Sequence, residues 1–465
     1  MLTAVRKLVE RALIGDSAPA LVRFAKTVPR PIRKLVERAV IGDSAPALVR
    51  FGRTVPRPFI RRLQAESFRD VFRYAARRQK FLARKLREAG IDPARVRGPE
   101  DLGHVFTTAD DLLGLPPEDF LCREPQAVFE TTGTSGAPKR TYFSYEEIEA
   151  AAHHEGAALY QNGVRPGDRV VCAFDAGYWI SSWVTFLACK KMGVFCSAVG
   201  KPQPKDLYSR LGLYRYNVIV ADPTWLVSLS EIAEKQGAFP VKLILAAGDR
   251  MTDVYRSYVQ DVWKAPVILG YGSTEAGGGL GMECRERAGY HVDEFDFLLE
   301  IAEPDAEGYG ELVMTTLARR TMPLIRYRVR DVTRFIDEPC PCGVTLRRIS
   351  RIRGRRDEMV VMGAGNMHPE IFERVLHDVE GLSDRWQVAV RQEGIRDILE
   401  FRLELANGTS PPAVEQAVRR NIESRYPEVW TNHVCGMYQL AFRFLPAGLL
   451  GQGRKPKRLV DERQF

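Results

Sequence analysis

Five short apolar segments, each ending at glycine or proline, alternate with segments of helical length through the middle of the chain. The apolar segments are RVVCAFDAG (169–177), VFCSAVG (194–200), NVIVADP (217–223), LILAAG (243–248) and VILGYG (267–272). Helix-like sequences such as WISSWVTFLACKKMG and TDVYRSYVQDVWK lie between them. Strands that alternate with helices of this length predict a parallel sheet covered by helices. Ligands of such sheets bind at the carboxyl ends of the strands.

Changes in the sequence pattern divide the 465 residues into three parts. A helical stretch at about 59–90 precedes the alternating region, the chain becomes β-rich from Glu311, and a small α+β pattern begins near Arg356. We therefore predict an α/β fold with a basic helical N-terminal segment (1–63) and a large domain (64–355) that combines helix-covered parallel sheets with a β-rich subdomain. A small α+β domain (356–465) completes the chain.

The N-terminal segment is a tandem duplication. RKLVERALIGDSAPALVRFAKTVPRP begins at Arg6 and recurs from Arg33 with three differences in 26 positions, a period of 27 residues. Apolar residues at helical spacing open each copy. Two copies are too few for a self-supporting solenoid. One interpretation is a duplication that lengthens a terminal helical hairpin, and the other is a basic amphipathic element that docks on a partner or a membrane surface.

Charge and cysteine usage narrow the function classes. Residues 1–63 hold fourteen Lys and Arg against four Asp and Glu, a charge of +10. Because the whole chain carries a net charge of +9, the remaining residues sum to −1. This basic segment has only three aromatic residues to stack on bases, which argues against nucleic-acid binding. No apolar run reaches eighteen residues, and eight cysteines without a secretory leader predict a reducing cytoplasm.

A loop rich in glycine, in Ser and Thr, and in basic residues joins two strand-like segments. Its sequence, from Phe129 to Ser144, is FETTGTSGAPKRTYFS. Its hydroxyl groups can donate hydrogen bonds, its glycines let backbone amides turn towards an anion, and its basic exit adds positive charge. Pro138 stands where a Walker A loop has its second glycine, and the chain has no GxGxxG dinucleotide fingerprint. The loop therefore predicts a phosphate site of another kind.

Four further motifs follow in order: YGSTE from Tyr271, YRVRD ending at Asp331, GRRDEMV from Gly354 and GRKPKR from Gly453. With the loop, they make the chain resemble the adenylate-forming ligases, most closely the phenylacetate–coenzyme A ligase family. The likeness extends from about residue 64 to the C-terminus. It implies that a carboxylic acid, aryl or related, attacks the α-phosphate of ATP to form acyl-AMP, and that coenzyme A then displaces AMP.

The resemblance assigns nucleotide contacts residue by residue. The loop would wrap the phosphates, Tyr271 would lie against adenine, and Asp331, supported by Arg355, would accept the ribose hydroxyls. The nucleotide-binding residues it implies are Thr132, Gly133, Thr134, Ser135, Gly136, Lys139, Ala247, Gly248, Tyr271, Gly272, Ser273, Asp331 and Arg355.

The resemblance also assigns the reactive end of the site. Thr274 would bind the α-phosphate and Glu275 would hold Mg²⁺. Lys455 is the implied catalytic lysine, with Lys457 as its competitor because Arg454 replaces the family's glycine. Asp357 would be the hinge of a mobile C-terminal domain. The family's aryl-acid pocket is matched in position by Phe174, Tyr178 and Trp179. The alternative is that these rings pack at a strand–helix junction.

Four residues form a candidate zinc set: Cys284, His291, Cys340 and Cys342. Three thiolates and one imidazole make a tetrahedral structural site, and related ligases carry similar residues. The alternative is four reduced, buried side chains. The remaining cysteines, at 122, 172, 189, 196 and 435, are interpreted as core thiols.

Three alternatives remain open at this point. The acyl group could pass to a carrier-protein thiol or to an amine instead of coenzyme A, because the first half-reaction is the same. Because Arg454 replaces the glycine of the family, a catalytically degenerate ligase that acts as a scaffold is a further alternative. A homodimer is one assembly that the sequence allows.

Overall fold

The computed structural model describes residues 44–131, 138–356, 359–363, 365–406, 408–446, 450 and 457–464. The first repeat copy and the start of the second lie outside this part of the chain. So do five predicted phosphate-loop residues, Thr132, Gly133, Thr134, Ser135 and Gly136, the predicted hinge Asp357 and the predicted catalytic Lys455.

Three helices open the described part of the chain: α1 (Ala45–Thr54), α2 (Arg57–Arg78) and α3 (Lys80–Glu88). The helical stretch predicted at 59–90 is therefore confirmed. Phe51 and Val55 at the end of α1 are buried, and the Phe51 ring lies 5.6 Å from that of Phe295. Thr345 donates its hydroxyl proton to the Val55 carbonyl at 2.9 Å. The described end of the repeat thus packs against the body of the protein.

A nine-stranded sheet forms the centre of the body, in the order β13-β14-β9-β8-β7-β6-β5-β3-β4. Strands β4, β3, β5, β6 and β7 are parallel, and β7, β8, β9, β14 and β13 pair antiparallel. The parallel strands are β3 (Arg169–Cys172), β4 (Phe195–Ala198), β5 (Val218–Ala221), β6 (Leu243–Ala246) and β7 (Val267–Ser273). All five strand predictions and the α/β fold class are confirmed. The antiparallel strands are β8 (Gly278–Glu283), β9 (Tyr290–Val292), β13 (Phe335–Ile336) and β14 (Arg348–Ile349).

Six helices accompany this sheet and the hairpin of β1 (Ala127–Glu130) with β2 (Arg140–Phe143). They are α4 (Ala109–Gly114), α5 (Tyr145–Gln161), α6 (Ile180–Met192), α7 (Pro204–Tyr214), α8 (Pro223–Gln236) and α9 (Asp253–Trp263). Side-chain caps set four of the starts: Thr108 accepts from the Asp111 amide, Ser144 from Glu147, Asp222 from Trp225 and Thr252 from Tyr255. Two 3₁₀ turns lie at Pro99–Leu102 and Pro117–Asp119.

The predicted β-rich region forms an antiparallel sheet in the order β10-β11-β12-β15. Its strands are β10 (Phe297–Ala302), β11 (Gly310–Thr316), β12 (Tyr327–Thr333) and β15 (Gly354–Arg355). Asp331 and Arg355 are direct cross-strand partners in this sheet. This register places two predicted nucleotide-binding residues beside each other.

The C-terminal part combines a hairpin with a four-stranded mixed sheet of order β20-β19-β18-β21. The strands are β16 (Val360–Met362), β17 (Gly365–Met367), β18 (Leu382–Glu393), β19 (Arg396–Leu405), β20 (Gln439–Leu445) and β21 (Leu459–Asp461). Three helices accompany these strands: α10 (Pro369–Leu376), α11 (Pro411–Arg425) and α12 (Pro427–Val434). Gln392 donates to the Thr252 hydroxyl at 3.0 Å and Arg396 pairs with Glu231 at 2.6 Å, so this part contacts the body beside α8 and α9. Among the described helices, none is long and apolar enough to cross a membrane.

Candidate active site

A cavity of about 1510 Å³ lies where the parallel strands of the central sheet end. The loops after β3, β6 and β7 line it, together with β12, β15 and residues of the C-terminal part. The predicted site residues that line it are Lys139, Phe174, Trp179, Ala247, Gly248, Tyr271, Gly272, Ser273, Thr274, Glu275, Asp331 and Arg355. Residues that lie more than two hundred positions apart in the sequence, Lys139 and Arg355, therefore share one cavity.

Asp331 is held by two predicted partners. Arg355 Nη1 donates to Asp331 Oδ1 at 2.7 Å, and the Tyr271 hydroxyl donates to Asp331 Oδ2 at 2.6 Å. Burial and the adjacent Asp331 carboxylate raise the pKa of Tyr271 well above its usual value, so the phenol stays protonated and keeps donating. The pair of donors orients a carboxylate whose remaining lone pairs can accept from a diol.

Glu275 and Lys139 meet in the same cavity. Lys139 Nζ lies 2.6 Å from Glu275 Oε1, and the Tyr327 hydroxyl donates to the same oxygen at 2.8 Å. Burial by itself would raise the pKa of Glu275, but the Lys139 charge and these hydrogen bonds outweigh it and lower the pKa to about 2. The carboxylate is therefore charged at neutral pH, as a metal ligand must be.

The loop after β7 approaches neighbouring backbone closely. A Cβ on Gly272 would lie 2.0 Å from the Gly278 carbonyl oxygen, so this position requires glycine. The Thr274 hydroxyl lies 3.4 Å from the Glu130 carbonyl, and Arg319 donates to the Glu275 carbonyl at 2.7 Å. These contacts fix the backbone that carries Thr274 and Glu275.

The predicted acid-pocket residues are divided between the cavity and the surface. Phe174 and Trp179 line the cavity, whereas the Tyr178 side chain is 67% exposed and does not line it. The Tyr178 carbonyl accepts a hydrogen bond from the Glu130 amide at 2.9 Å. This backbone pairing holds the segment, and the Tyr178 ring lies at the surface. Leu48 and Val49 of α1 also line the cavity, a contribution from the repeat that the sequence analysis did not anticipate.

The predicted zinc residues come together. The ligand atoms of Cys284, His291, Cys340 and Cys342 all lie within 4.8 Å of one another. Cys284 Sγ and Cys340 Sγ are 3.6 Å apart, and Cys342 Sγ is 3.3 Å from His291 Nε2. Two sulfurs bound tetrahedrally to one zinc ion would be about 3.8 Å apart, so the spacing fits the ion. Of the other cysteines, 122, 172 and 189 are buried as predicted, but 196 and 435 are partly exposed.

Two site residues escaped the sequence analysis. Tyr327 lies on the same face of β12 as Asp331, and the alternating burial of this strand, period two, is the signal that could have indicated it. Glu155 lines the cavity from α5, but nothing in the spacing of that helix distinguishes it from a solvent-facing glutamate. Lys457, the competitor for the catalytic role, is exposed and also lines the cavity.

No model of a known protein family matches the chain. A phenylacetate–coenzyme A ligase of Thermus thermophilus is 31% identical over 363 residues, which cover 75% of this chain and 82% of that protein. The enzyme of the same name from Escherichia coli is 26% identical over 371 residues, 76% of this chain and 84% of that one. A solved 2-hydroxyisobutyryl-CoA ligase, in complex with 2-HIB-AMP and CoA, has the same fold, with a TM-score of 0.75 and 21% identity over 89% of this chain and 92% of that chain.

Proposed function

Since this chain belongs to the phenylacetate–coenzyme A ligase family, we propose that it activates a carboxylic acid with ATP and transfers the acyl group to coenzyme A. In the first step a carboxylate oxygen attacks the α-phosphorus of ATP and pyrophosphate leaves. In the second step the coenzyme A thiol attacks the acyl carbon, loses its proton and displaces AMP. An aryl acid is the favoured substrate class, because Phe174 and Trp179 line the cavity.

The observation that carries this proposal is the convergence of Lys139, Tyr271, Glu275 and Asp331 on one cavity. Asp331 is the acceptor for the ribose hydroxyls, and Tyr271 lies against adenine beside Ala247 and Gly248. Thr274 binds the α-phosphate. The Lys139 charge, together with the predicted loop residues outside the described part of the chain, binds the outer phosphates.

Glu275 is the proposed Mg²⁺ ligand, because its carboxylate is charged and lies next to the proposed phosphate site. When bound, the ion supplies charge neutralisation for the departing pyrophosphate. The chain's own part is to orient Glu275 through Tyr327 and Arg319. Lys455 remains the proposed catalytic lysine, with Lys457 as the alternative.

Exchange of labelled pyrophosphate into ATP tests the first half-reaction, using a panel of aryl, alicyclic and fatty acids. Asp331→Asn keeps the size of the side chain but removes its charge, so KM for ATP should rise at least about tenfold. Asp261→Asn, at an exposed position on α9, is the matched control. No exchange with any acid would instead favour the scaffold hypothesis.

The acceptor needs a separate experiment, because a carrier-protein thiol or an amine could take the place of coenzyme A. Continuous AMP release on addition of coenzyme A supports the proposal. Release with a carrier protein or an amine, and none with coenzyme A, would reject it.

We propose that residues 64–355 hold the nucleotide and that residues 356–465 rotate about Asp357 between the two steps. Arg396 of the small domain forms an ion pair with Glu231 of the large domain. Such contacts stabilise one of the two orientations between which the small domain rotates. Asp357→Pro should slow the thioester step more than pyrophosphate exchange. Equal effects on both steps would reject the hinge.

Zinc is the proposed structural ion of Cys284, His291, Cys340 and Cys342, because the donor set and its spacing fit. Thiolate ligation also agrees with the predicted reducing cytoplasm. Elemental analysis should find about one zinc per chain, and Cys342→Ser should remove it, whereas Cys435→Ser should not. A zinc-free wild-type protein, purified without chelator, would refute the proposal.

The docking function of the N-terminal repeat and a homodimer remain proposals. We place the docking function on residues 1–43, because α1, the described end of the repeat, packs against the body. Deletion of residues 1–43 should abolish sedimentation with anionic vesicles and leave AMP formation unchanged. Sedimentation velocity of the same two proteins tests the dimer.

A further inference from the structure

Glu155 is a carboxylic acid in the wall of a cavity proposed to bind a carboxylic acid. It lies on α5 and faces Thr185 of α6, whose hydroxyl donates to Glu155 Oε1 at 2.6 Å. Both residues line the cavity, as do Phe174, Trp179 and Ser181. The pair and the aromatic residues of the proposed acid pocket therefore share one cavity.

The second carboxyl oxygen of Glu155 has no partner among the described residues. Thr185 supplies its one hydrogen bond within that part of the chain, and no described Lys or Arg forms an ion pair with it. The preceding residue, His154, is paired with Asp293 and Asp296 instead. Oxygen Oε2 is consequently available to a ligand in the cavity.

The surroundings of Glu155 are poor in charge. Ala157 and Ala158 line the cavity from the same helix, and the buried thiols of Cys172 and Cys189 lie behind it. Burial raises the pKa of Glu155 to about 7, against the smaller opposing effect of the Thr185 hydrogen bond. A carboxyl group in such a place is costly to the fold unless a partner satisfies it. An apolar side chain would pack between α5 and α6 at less cost.

We propose that Glu155, oriented by Thr185, is a specificity-determining residue that accepts a hydrogen bond from a hydroxyl or amino group on the acyl part of the substrate. This inference rests on the proposed function and narrows its substrate to hydroxy- or amino-substituted aryl acids. A site built to bond such a group discriminates strongly against analogues that lack it, because its own polar atoms are then left unsatisfied. The substrate carboxylate must point away from Glu155, towards the proposed phosphate site, since two carboxylates repel each other.

Matched acids test the proposal with the full chain. The probes are 3- and 4-hydroxyphenylacetate, 3- and 4-aminophenylacetate, and 3- and 4-methylphenylacetate. In the methyl compounds a methyl group of similar size replaces the hydroxyl group. For at least one position, kcat/KM for AMP formation should favour the hydroxy or amino acid over the methyl acid by about tenfold or more. In Glu155→Met this ratio should fall to about one, while the methyl acid is used at least as well as by wild type.

Two further variants separate recognition from packing. Thr185→Val removes the hydroxyl that orients Glu155 and should lower the ratio partly. Glu149→Gln, at an exposed position on the same helix, should leave it unchanged. Loss of stability without a change in the ratio would show that Glu155 only packs α5 against α6, and would overturn the proposal.

Equilibrium binding of the same acids, measured by titration calorimetry, requires no turnover. A tenfold preference in Kd that disappears in Glu155→Met supports the inference even if no acid supports pyrophosphate exchange, in which case the proposed ligase function fails by itself. Equal Kd values for hydroxy, amino and methyl acids in wild type overturn the inference even if the enzyme is active.

Discussion

Lys139 Nζ and Glu275 Oε1 lie 2.6 Å apart, so the cation proposed for phosphate and the carboxylate proposed for Mg²⁺ neutralise each other in the cavity. Both side chains are mostly buried, and Glu275 also accepts from Tyr327. The pair lets the protein keep a charged carboxylate in a buried place.

Lys139→Met should therefore impair both stability and nucleotide binding. Removing one member of a buried pair leaves the other uncompensated, at a cost of about 3 kcal/mol in the free energy of unfolding at pH 7. The pKa of Glu275 is lowered from 4.5 to about 2, so the stability due to the pair is present above pH 4.5 and is lost as the pH falls towards 2. The gap in Tm between wild type and variant should shrink over that window. A gap independent of pH would contradict this account.

Gly272→Ala should distort the turn that carries Thr274 and Glu275. The new Cβ would lie 2.0 Å from the Gly278 carbonyl oxygen, which the β7–β8 pairing holds in place. We expect activity to fall by at least about tenfold, because small displacements of positioned groups are costly in rate. Gly279→Ala is the control, since its Cβ would meet nothing within 4 Å. Equal activities of the two variants would refute the steric argument.

The buried ion pair between Arg256 and Glu283 should stabilise the fold only when both residues are present. Arg256 donates to both carboxylate oxygens, at 3.1 and 2.7 Å, and Glu283 also accepts from the Leu269 amide at 3.0 Å. Arg256→Met leaves a buried charge and should destabilise the protein by about 3–5 kcal/mol. The double variant Arg256→Met/Glu283→Gln should recover part of this loss. Chemical denaturation measures both, and an additive double variant would contradict the expectation.

Asp249, which follows the proposed adenine loop, should make stability fall with rising pH. Burial is the largest cause that raises its pKa from 3.8 to about 8, and its Oδ2 atom has no hydrogen-bond partner among the described residues. A carboxyl whose folded pKa is raised binds a proton that the unfolded chain has released, so stability decreases between about pH 4 and pH 8. Asp249→Asn should raise the free energy of unfolding at pH 8 by on the order of 5 kcal/mol and change it little at pH 4. A stabilisation that is equal at both pH values would disprove the titration.

Local patterns were sufficient for much of the fold. Apolar runs that stop at glycine or proline predicted all five parallel strands, because a strand buried on both faces needs a continuous apolar sequence. The order of the motifs indicated the family. The period of two in β12 contained the information that Tyr327 shares a face with Asp331, although only Asp331 was identified from the sequence.

Other features depend on contacts that no local pattern encodes. Tyr178 matches a pocket position, yet its backbone pairs with Glu130 and its ring lies at the surface. The repeat is predicted to lengthen a terminal helical hairpin or to dock on a partner or a membrane surface, and its described end, α1, packs on the body and lines the cavity. In both cases the outcome follows from which distant segment reaches the residue.

The sequence by itself determined the strands, the fold class and the family, since these follow from periodicity and from residues in a fixed order. Only the tertiary structure decided that Lys139 pairs with Glu275, that three cysteines and His291 share one site, and that Glu155 faces a cavity. The physical reason is that periodicity determines which face of a helix or strand is buried. Whether that face meets packed core, an opposite charge or an open cavity depends on the elements that fold against it.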